Sequence, residues 1–279
     1  MKLKFCKVSG AGNDFIAFDN RETNIPDQVK PGMAKDLCRR GHSVGADGLL
    51  FIEKSDHAHF LMRVINADGS EAETCGNASR CAALLAKSLN IAPDEMVMET
   101  GAGLYKAKVS GNTAIVTMTD PLDMKLDIHL KELEELIDRI HFVNTGVPHV
   151  SAFVDNVEQI DVNSLGRIIR NHPVFQPAGT NVNFATVIDP HNIRIRTYER
   201  GVENETLACG TGCIATAVLA GVLNMAESPV KMLTRGGFTN IIHFSLEHPR
   251  VSEVRLEGEA RIVFTGEMEY PSDETGEEK

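Results

Sequence analysis

"CGNASRC" at residues 75–81 and "CGTGC" at residues 209–213 place a cysteine directly before a glycine at two distant points of the chain. Each stretch lies inside a longer repeat, which appears when "FLMRVINADGSEAETCGNASRCAALLAKSLN" (60–90) is aligned with "IRIRTYERGVENETLACGTGCIATAVLAGVLN" (193–224). Counted from each cysteine, Ala83 then meets Ala217 and Leu85 meets Leu219 without a gap. Both copies read as an alternating strand, a polar loop, Cys-Gly and a helix. The sequence therefore predicts two homologous halves.

The segments after the two cysteines, "SRCAALLAKSLN" and "GCIATAVLAGVLN", are apolar on nearly every side. A surface helix would show a single apolar stripe, so both helices are predicted to be buried. The segments around them alternate with a period of two, which is typical of strands. The predicted fold class is α+β, with two pseudo-symmetric halves and an active site in the cleft between them. Each half should be a curved, mostly antiparallel sheet or barrel around its own central helix.

Proline and aspartate interrupt the strand pattern in "TDPLDMK" (119–125), which indicates a boundary between the halves. We expect an N-terminal half, residues 1–120, that carries Cys75 and that the last strand, about 261–269, could join. The C-terminal half, residues 121–260, would carry Cys209. The amphipathic "LDIHLKELEELIDRI" (126–140) predicts a surface helix at its start. The acidic residues 270–279 are expected to form a disordered tail.

Composition excludes several classes of function. A net charge of −11 without a basic run argues against a nucleic-acid surface. No run approaches the roughly 18 apolar residues that a membrane span needs, and the N-terminus lacks the apolar stretch of a secretory signal, so a cytoplasmic protein is expected. The six cysteines include no CxxC pair, so neither a metal site nor a set of disulfides is predicted. No dinucleotide or P-loop spacing is present, so no nucleotide cofactor is predicted.

A cysteine at a helix N-terminus has a defined chemistry. Unpaired backbone N–H groups and the helix dipole favour an anion there and lower the pKa of a thiol. Two such termini facing one cleft would hold a carboxylate between them, with Cys75 and Cys209 on opposite faces of the neighbouring carbon. One thiolate would remove the α-hydrogen and the opposite thiol would return one, which inverts the centre without a cofactor. The two thiols should titrate as a coupled pair, with one thiolate and one thiol at rest.

Several stretches together resemble the diaminopimelate epimerase family from about residue 5 to about residue 267: "GAGNDF" (10–15), "GADGLL" (45–50), "NADGSEAETCGN" (66–77), "GTNVNF" (179–184) and "YERGVENETLACGTG" (198–212). The resemblance implies interconversion of LL- and meso-diaminopimelate, without pyridoxal phosphate or metal, in lysine and peptidoglycan-precursor biosynthesis. It also implies a homodimer. Membranes and nucleic acids are not expected partners.

By the same resemblance, Cys75 and Cys209 are the base and acid, and His149 and Glu199 lie beside the thiols. Substrate-binding roles carry over to Asn13, Asn66, Asn181, Glu199 and Arg200, and the α-carboxylate would bind the amides of Gly76, Asn77, Gly210 and Thr211. Two positions depart from the family pattern. Val147 stands where many members have a substrate-contacting asparagine, which puts the distal pocket and the exact substrate in question. Ala78 replaces a glycine of the usual "CGNGARC".

Two alternative interpretations stay open at this point. The chain could be a racemase of another amino acid such as proline or histidine, although Arg200 would have no distal charge to bind on proline. It could also be a thiol redox sensor with a reversible disulfide between Cys75 and Cys209, a role that requires neither the asparagines nor Arg200. For the other cysteines a small buried apolar role is expected: Cys6, Cys38, Cys81 and Cys213.

Overall fold

The structure is a computed structural model that describes residues 1–134, 136, 137 and 139–271. The strands of its first part are β1 (Lys2–Gly10), β2 (Asn13–Asp19), β3 (Gly48–Glu53), β4 (Phe60–Asn66), β5 (Glu71–Ala72), β6 (Glu95–Thr100), β7 (Gly103–Ser110) and β8 (Thr113–Thr117). The second part contains β9 (Leu122–Ile128), β10 (Ile140–Asn144), β11 (Pro148–Phe153), β12 (Asn181–Asp189), β13 (Asn192–Glu199), β14 (Asn204–Thr206), β15 (Val230–Thr234), β16 (Thr239–Glu247), β17 (Arg250–Glu259) and β18 (Arg261–Glu269).

The α-helices are α1 (Asn20–Thr23), α2 (Lys30–Leu37), α3 (Gly76–Ser88), α4 (Val162–Arg170) and α5 (Gly210–Val222). Short 3₁₀ helices occupy Lys131–Leu133, Val157–Gln159 and Pro173–Phe175. Within the described part of the chain, no helix is both long and apolar enough to cross a membrane.

The strand pairings of the two parts repeat one another. The sequence β1–β2–β3–β4–β6–β7–β8 has the same pattern of antiparallel and parallel pairs as β10–β11–β12–β13–β15–β16–β17. In both, the parallel pairs are the second and the fourth, and the others are antiparallel. The predicted fold class of two pseudo-symmetric, mostly antiparallel halves is therefore confirmed.

Each parallel pair requires a crossover, and the crossovers carry the helices. The connections from β2 to β3 and from β11 to β12 carry the outer helices α2 and α4, whereas those from β4 to β6 and from β13 to β15 carry α3 and α5. Helices α3 and α5 are almost wholly buried, as the apolar pattern predicted, and both contribute to one large apolar core. Smaller apolar clusters lie under α2 and α4.

Two strands join the parts into a continuous sheet. Strand β17 pairs with β16 on one side and with β8 on the other, and β18 pairs with β1 from Lys2↔Glu269 to Ser9↔Arg261. The division at residue 120 and the membership of 261–269 stay predictions. Of the predicted tail at 270–279, residues 272–279 lie outside the described residues, and the backbone N–H of Tyr270 donates to the Met1 carbonyl at 2.9 Å.

The predicted surface helix at 126–140 is wrong. Residues up to Ile128 belong to strand β9, which pairs with β10, and among the described residues of 129–140, which leave out 135 and 138, the helical ones are Lys131–Leu133 in a short 3₁₀ helix. Asp127 has a φ of 54°, which lies outside the α-helical region. The apolar residues that suggested a helix, among them Leu130 and Leu133, instead enter the cluster under α4.

Candidate active site

The two repeated cysteines are the N-cap residues of the two buried helices. Cys75 precedes α3 with φ −149° and ψ 117°, and Cys209 precedes α5 with φ −119° and ψ 113°. Both residues therefore have extended backbone, and both thiols are free and half-buried. The local sequence enforces this arrangement because a glycine follows each cysteine as the first helical residue. Each thiol is thus held at the positive end of a helix dipole.

The two helix N-termini meet at a single side chain, Leu256 of β17. A Cβ atom placed on Gly76 would lie 2.7 Å from Leu256 Cδ2, and one placed on Gly210 would lie 3.1 Å from the same atom. Only residues without side chains allow both helices to approach this close. Asn77 Oδ1 would lie 3.5 Å from the Gly210 Cβ position, so residues of the first helix reach the start of the second. The two cysteines consequently belong to one site formed by both halves.

Asn13, on β2, contacts the Cys75 thiol. The Cys75 Sγ donates to Asn13 Oδ1 at 3.7 Å, and Asn77 Nδ2 donates to the same oxygen at 3.5 Å. Asp47 fixes the amide orientation, because its carboxylate accepts a 2.7 Å hydrogen bond from Asn13 Nδ2. Burial raises the pKa of Cys75, and the backbone N–H groups of Ala78 and Asn77 act in the opposite direction.

The Cys209 thiol lies beside the carboxyl group of Glu199. The Gly212 N–H donates to Cys209 Sγ at 3.4 Å, and the Thr211 hydroxyl lies 3.5 Å from the same sulfur. Burial and then the neighbouring Glu199 raise the pKa of Cys209 well above its usual value. Burial also raises the pKa of Glu199, which ends strand β13. Glu199 is therefore the largest cause after burial that opposes ionisation of Cys209, whereas at Cys75 it follows the two backbone N–H groups.

His149, on β11, reaches the Cys209 thiol through the Thr211 hydroxyl. His149 Nε2 lies 2.9 Å from Thr211 Oγ1, and Nδ1 lies 3.3 Å from Asn183 Nδ2. Burial lowers the pKa of His149 to about 3, with a further contribution from Arg200, so the imidazole is neutral near pH 7. Since an amide nitrogen only donates, Nδ1 accepts and Nε2 carries the proton. The threonine oxygen accepts from Nε2, and its hydroxyl also forms the hydrogen bond with the Cys209 sulfur.

The model of a family described as diaminopimelate epimerase matches residues 5–125 and 141–263. The diaminopimelate epimerases of Hydrogenobaculum sp. (strain Y04AAS1) and Aquifex aeolicus (strain VF5) are 41% and 40% identical to the chain, each over 95% of the chain and 98% of the relative. The chain belongs to the diaminopimelate epimerase family. It is accordingly an isomerase.

Solved structures share the fold at low sequence identity. A Bacillus anthracis phenazine biosynthesis protein of the PhzF family has a TM-score of 0.74 at 14% identity, with 97% of this chain and 100% of that chain covered. A hydroxyproline epimerase from Agrobacterium vitis has a TM-score of 0.69 at 15% identity, with 95% and 92% covered. These likenesses concern the fold alone, whereas membership of the diaminopimelate epimerase family rests on the family model and the two relatives.

The structure brings some of the residues predicted to bind substrate together and leaves Asn66 apart from them. Asn181 and Arg200 lie together, because the Arg200 backbone N–H donates to Asn181 Oδ1 at 2.9 Å, and the half-buried guanidinium donates to the Ala178 carbonyl at 2.9 Å. Asn66 is exposed and donates to Ser70 Oγ at 3.0 Å, without a hydrogen bond to another predicted site residue in the described part of the chain. Val147 is half-buried at the start of β11.

Sequence reasoning missed three residues that contact the predicted site: Asp47, which orients Asn13, Asn183, which orients His149, and Arg80, which donates to Asn77 Oδ1 at 2.8 Å. All three lie in the quoted stretches "GADGLL", "GTNVNF" and "CGNASRC", so the signal for them was proximity to the predicted residues. The other cysteines follow expectation in part, since Cys38, Cys81 and Cys213 are buried and Cys6 is half-buried.

Gly212→Ala should damage the site and the fold together. The added methyl would lie 2.5 Å from Asn183 Oδ1, and the fully buried Asn183 is itself held by Thr197 and the Val150 carbonyl. We expect a loss of about 1–3 kcal/mol in the free energy of unfolding, with lower epimerase activity. Thermal unfolding and initial rates measure both effects. Gly32→Ala is the control because nothing surrounds its Cβ position, and equal behaviour of the two variants would contradict the prediction.

Proposed function

We propose that the chain converts LL-diaminopimelate to meso-diaminopimelate, with Cys75 and Cys209 as the two proton-transferring groups. The observation that carries the proposal is the convergence of the two cysteine-capped helix N-termini at Leu256. Membership of the diaminopimelate epimerase family supports the choice of substrate. The racemase and redox-sensor interpretations are not favoured by these relatives.

The α-carboxylate of the substrate would bind the backbone N–H groups at the two helix N-termini, from Gly76, Asn77, Gly210 and Thr211. Anions are favoured at this position by the unpaired N–H groups and the helix dipoles. When the α-hydrogen leaves as a proton, negative charge moves into the carboxylate. The same N–H groups then stabilise the transition state more than the bound substrate, which lowers the barrier.

Proton transfer would use the two thiols in turn. One thiolate removes the α-proton and becomes a thiol, and the thiol on the opposite face donates its proton to the planar carbanion and becomes a thiolate. In the free enzyme one of the two sulfurs would be the thiolate and the other the thiol, since two thiolates in one small site would repel each other. Each turnover reverses this distribution, so the reverse reaction starts from the opposite protonation state.

Arg200, Asn181, Asn13 and Asn66 are proposed to bind the distal amino-acid end, with Glu199 and His149 acting beside the Cys209 thiol. A planar guanidinium suits the distal carboxylate, and asparagines serve either an ammonium or a carboxylate group. We further propose a cytoplasmic location and a homodimer, which are the expectations that accompany the family resemblance. Division of the chain at residue 120 into two halves that each supply one thiol is part of the same proposal.

Deuterium exchange tests the proposed function directly. Reduced protein would be incubated in D₂O with LL-diaminopimelate and, separately, with proline, histidine and glutamate, and α-hydrogen loss would be followed by proton NMR. Exchange in diaminopimelate alone, with appearance of the meso isomer, is the expected result. Exchange in another amino acid would indicate a changed distal pocket at Val147. No exchange in any of them would reject the epimerase function.

Arg200→Ala should reduce kcat/KM for LL-diaminopimelate by roughly 10–150-fold, because a hydrogen bond between charged groups contributes about 1.5–3 kcal/mol. The backbone bond from residue 200 to Asn181 would survive, so the fold should stay intact. Arg194→Ala is a matched control on strand β13, which ends directly before Arg200, and the Arg194 side chain is half-exposed. Steady-state kinetics of both variants check the prediction, and an unchanged kcat/KM for Arg200→Ala would contradict the proposed distal contact.

A further inference from the structure

Arg80 is a fully buried arginine without a carboxylate partner. Its exposed fraction is 0%, and its only hydrogen bond within the described part of the chain runs from Nη2 to Asn77 Oδ1 at 2.8 Å. The guanidinium Nε and Nη1 atoms are buried and have no hydrogen-bond partner among the described residues. A buried, unpaired charge destabilises a fold by several kcal/mol, and an arginine does not deprotonate in proteins. Packing alone therefore gives no reason for an arginine here.

The guanidinium packs against β17 two residues from Leu256, where the two helix N-termini meet. A Cβ atom on Gly258 would lie 3.2 Å from Arg80 Cζ and 3.3 Å from Nε, and one on Gly76 would touch Leu256. Gly258 and Leu256 are two residues apart on β17, so they face the same side of the sheet at a separation of about 6.5–7 Å. Arg80 is thus one side-chain position away from the proposed carboxylate site.

The ionisable groups that face Arg80 are thiols. Cys75 and Cys81 of α3 and Cys213 of α5 are the groups whose charge would interact with the guanidinium. Strands β16 and β17 present the uncharged Asn240 and Gly258. Cys75 faces Arg80 on its own helix, Glu199 from β13 and the neutral Asn13 from β2. Of these, only Arg80 supplies a positive charge to the Cys75 sulfur.

The repeat shows that this charge belongs to one half alone. Arg80 follows Cys75 by five residues, and the residue that follows Cys209 by five is Ile214, which is fully buried. The same core position therefore accepts an apolar side chain in the other half. Glu199 opposes the ionisation of both thiols, but among the described residues Arg80 interacts with Cys75 and not with Cys209.

We propose that Arg80 is a positioning residue for the epimerisation, because its buried guanidinium holds the Asn77 side chain and provides the counter-charge of the Cys75 thiolate. The inference rests on the proposed two-thiol function. It adds that the charges around the two thiols differ. A fixed buried cation acts on Cys75, and the carboxylate of Glu199 forms a hydrogen bond with Cys209. Loss of the cation should impair proton abstraction by Cys75 while leaving the fold intact.

The test compares Arg80→Met with Arg80→Lys, each in a Cys209→Ala background. The rate of Cys75 alkylation by iodoacetamide is measured against pH, with the modified residue identified by peptide mass spectrometry. Arg80→Met should raise the midpoint by about one pH unit or more, which corresponds to roughly tenfold slower alkylation below the midpoint. Arg80→Lys retains the charge and should show a smaller shift. With Cys209 restored, kcat of Arg80→Met should fall about tenfold with a smaller change in KM.

Stability separates this role from a structural one. Arg80→Met should unfold at a temperature equal to or above that of the unaltered chain, since an unpaired buried charge is replaced by an apolar side chain. Arg196→Met is the control, because Arg196 is paired with Glu205 and its loss should lower stability without moving the Cys75 midpoint.

An unchanged alkylation midpoint in Arg80→Met would overturn the proposal. If Arg80→Met does not fold, Arg80→Lys still tests whether the positive charge stabilises the Cys75 thiolate. Lysine retains the charge, so an alkylation midpoint raised by about one pH unit in Arg80→Lys would contradict the proposal. Alkylation requires no substrate, so these results stand whether or not the chain turns over diaminopimelate.

Discussion

Replacement of Cys75 or of Cys209 by alanine is expected to reduce epimerisation by roughly 10²–10⁴-fold, the usual contribution of a positioned acid or base. Each thiol caps a separate helix, so each variant loses the proposed proton-transferring group of one helix N-terminus. The measurement is the rate of formation of meso-diaminopimelate from the LL isomer. Activity close to that of the unaltered chain in either variant would contradict the two-thiol mechanism.

A matched control is available in Cys6→Ala. Cys6 is a half-buried free thiol on β1 and takes no part in the proposed site, so its removal tests the general effect of losing a cysteine.

Isotope exchange separates the two proton transfers. A variant with one remaining thiol removes and returns the proton on a single face, so solvent deuterium should enter without inversion. Loss of inversion with retained exchange would separate the two proton transfers, which a collapsed site could not do.

The two thiols share a backbone geometry and differ in their surroundings. Both are N-caps with extended φ and ψ, yet Cys75 faces Asn13 and Cys209 faces Thr211 and Glu199. Duplication explains the similarity, because each half repeats the crossover that carries its helix. Divergence after duplication explains the difference, since the residues around the sulfurs come from strands and turns whose side chains have changed independently.

The architecture could be predicted because it depends on repeated local patterns. The alternation of strands, the all-round apolar character of "GCIATAVLAGVLN" and the glycine after each cysteine are visible without knowledge of tertiary contacts. The pairing of β9 with β10 was not visible in this way. Residues 126–140 have an amphipathic spacing, but their backbone groups up to Ile128 are satisfied by a neighbouring strand, and Asp127 adopts a positive φ. Tertiary pairing overrode the local preference.

The site was predicted less completely than the fold, for a related reason. Cysteines at helix N-termini have a chemistry that can be inferred from sequence, whereas Asp47, Asn183 and Arg80 act through contacts between separate elements. Asp47 reaches Asn13 across a parallel strand pair, and Arg80 approaches Gly258 from a different part of the chain. No local pattern contains that information, so only the folded structure identifies these residues as neighbours of the thiols.

Ala83→Asp and Ala217→Asp are each expected to prevent stable folding. Both alanines are 0% exposed, on α3 and α5 within the shared core, and an aspartate there has neither water nor a partner. The loss should be about 4–5 kcal/mol or more, which is comparable with the whole stability of a typical domain. Circular dichroism and urea denaturation measure it. Soluble, cooperatively unfolding protein of normal stability would contradict the buried-helix architecture on which the site depends.

Ser88→Asp provides the control for this last prediction, because it adds the same charge to α3 at an exposed position and should change the free energy of unfolding by no more than about 1 kcal/mol. The pH dependence gives a second criterion. Burial raises the pKa of the new carboxyl in the folded state above its unfolded value of about 3.9. The folded state then binds the proton more tightly than the unfolded state, so the destabilisation should grow by up to about 1.4 kcal/mol per unit as the pH rises above 4. A deficit independent of pH would indicate that the carboxylate has escaped to solvent, and that the helix at this position is not enclosed.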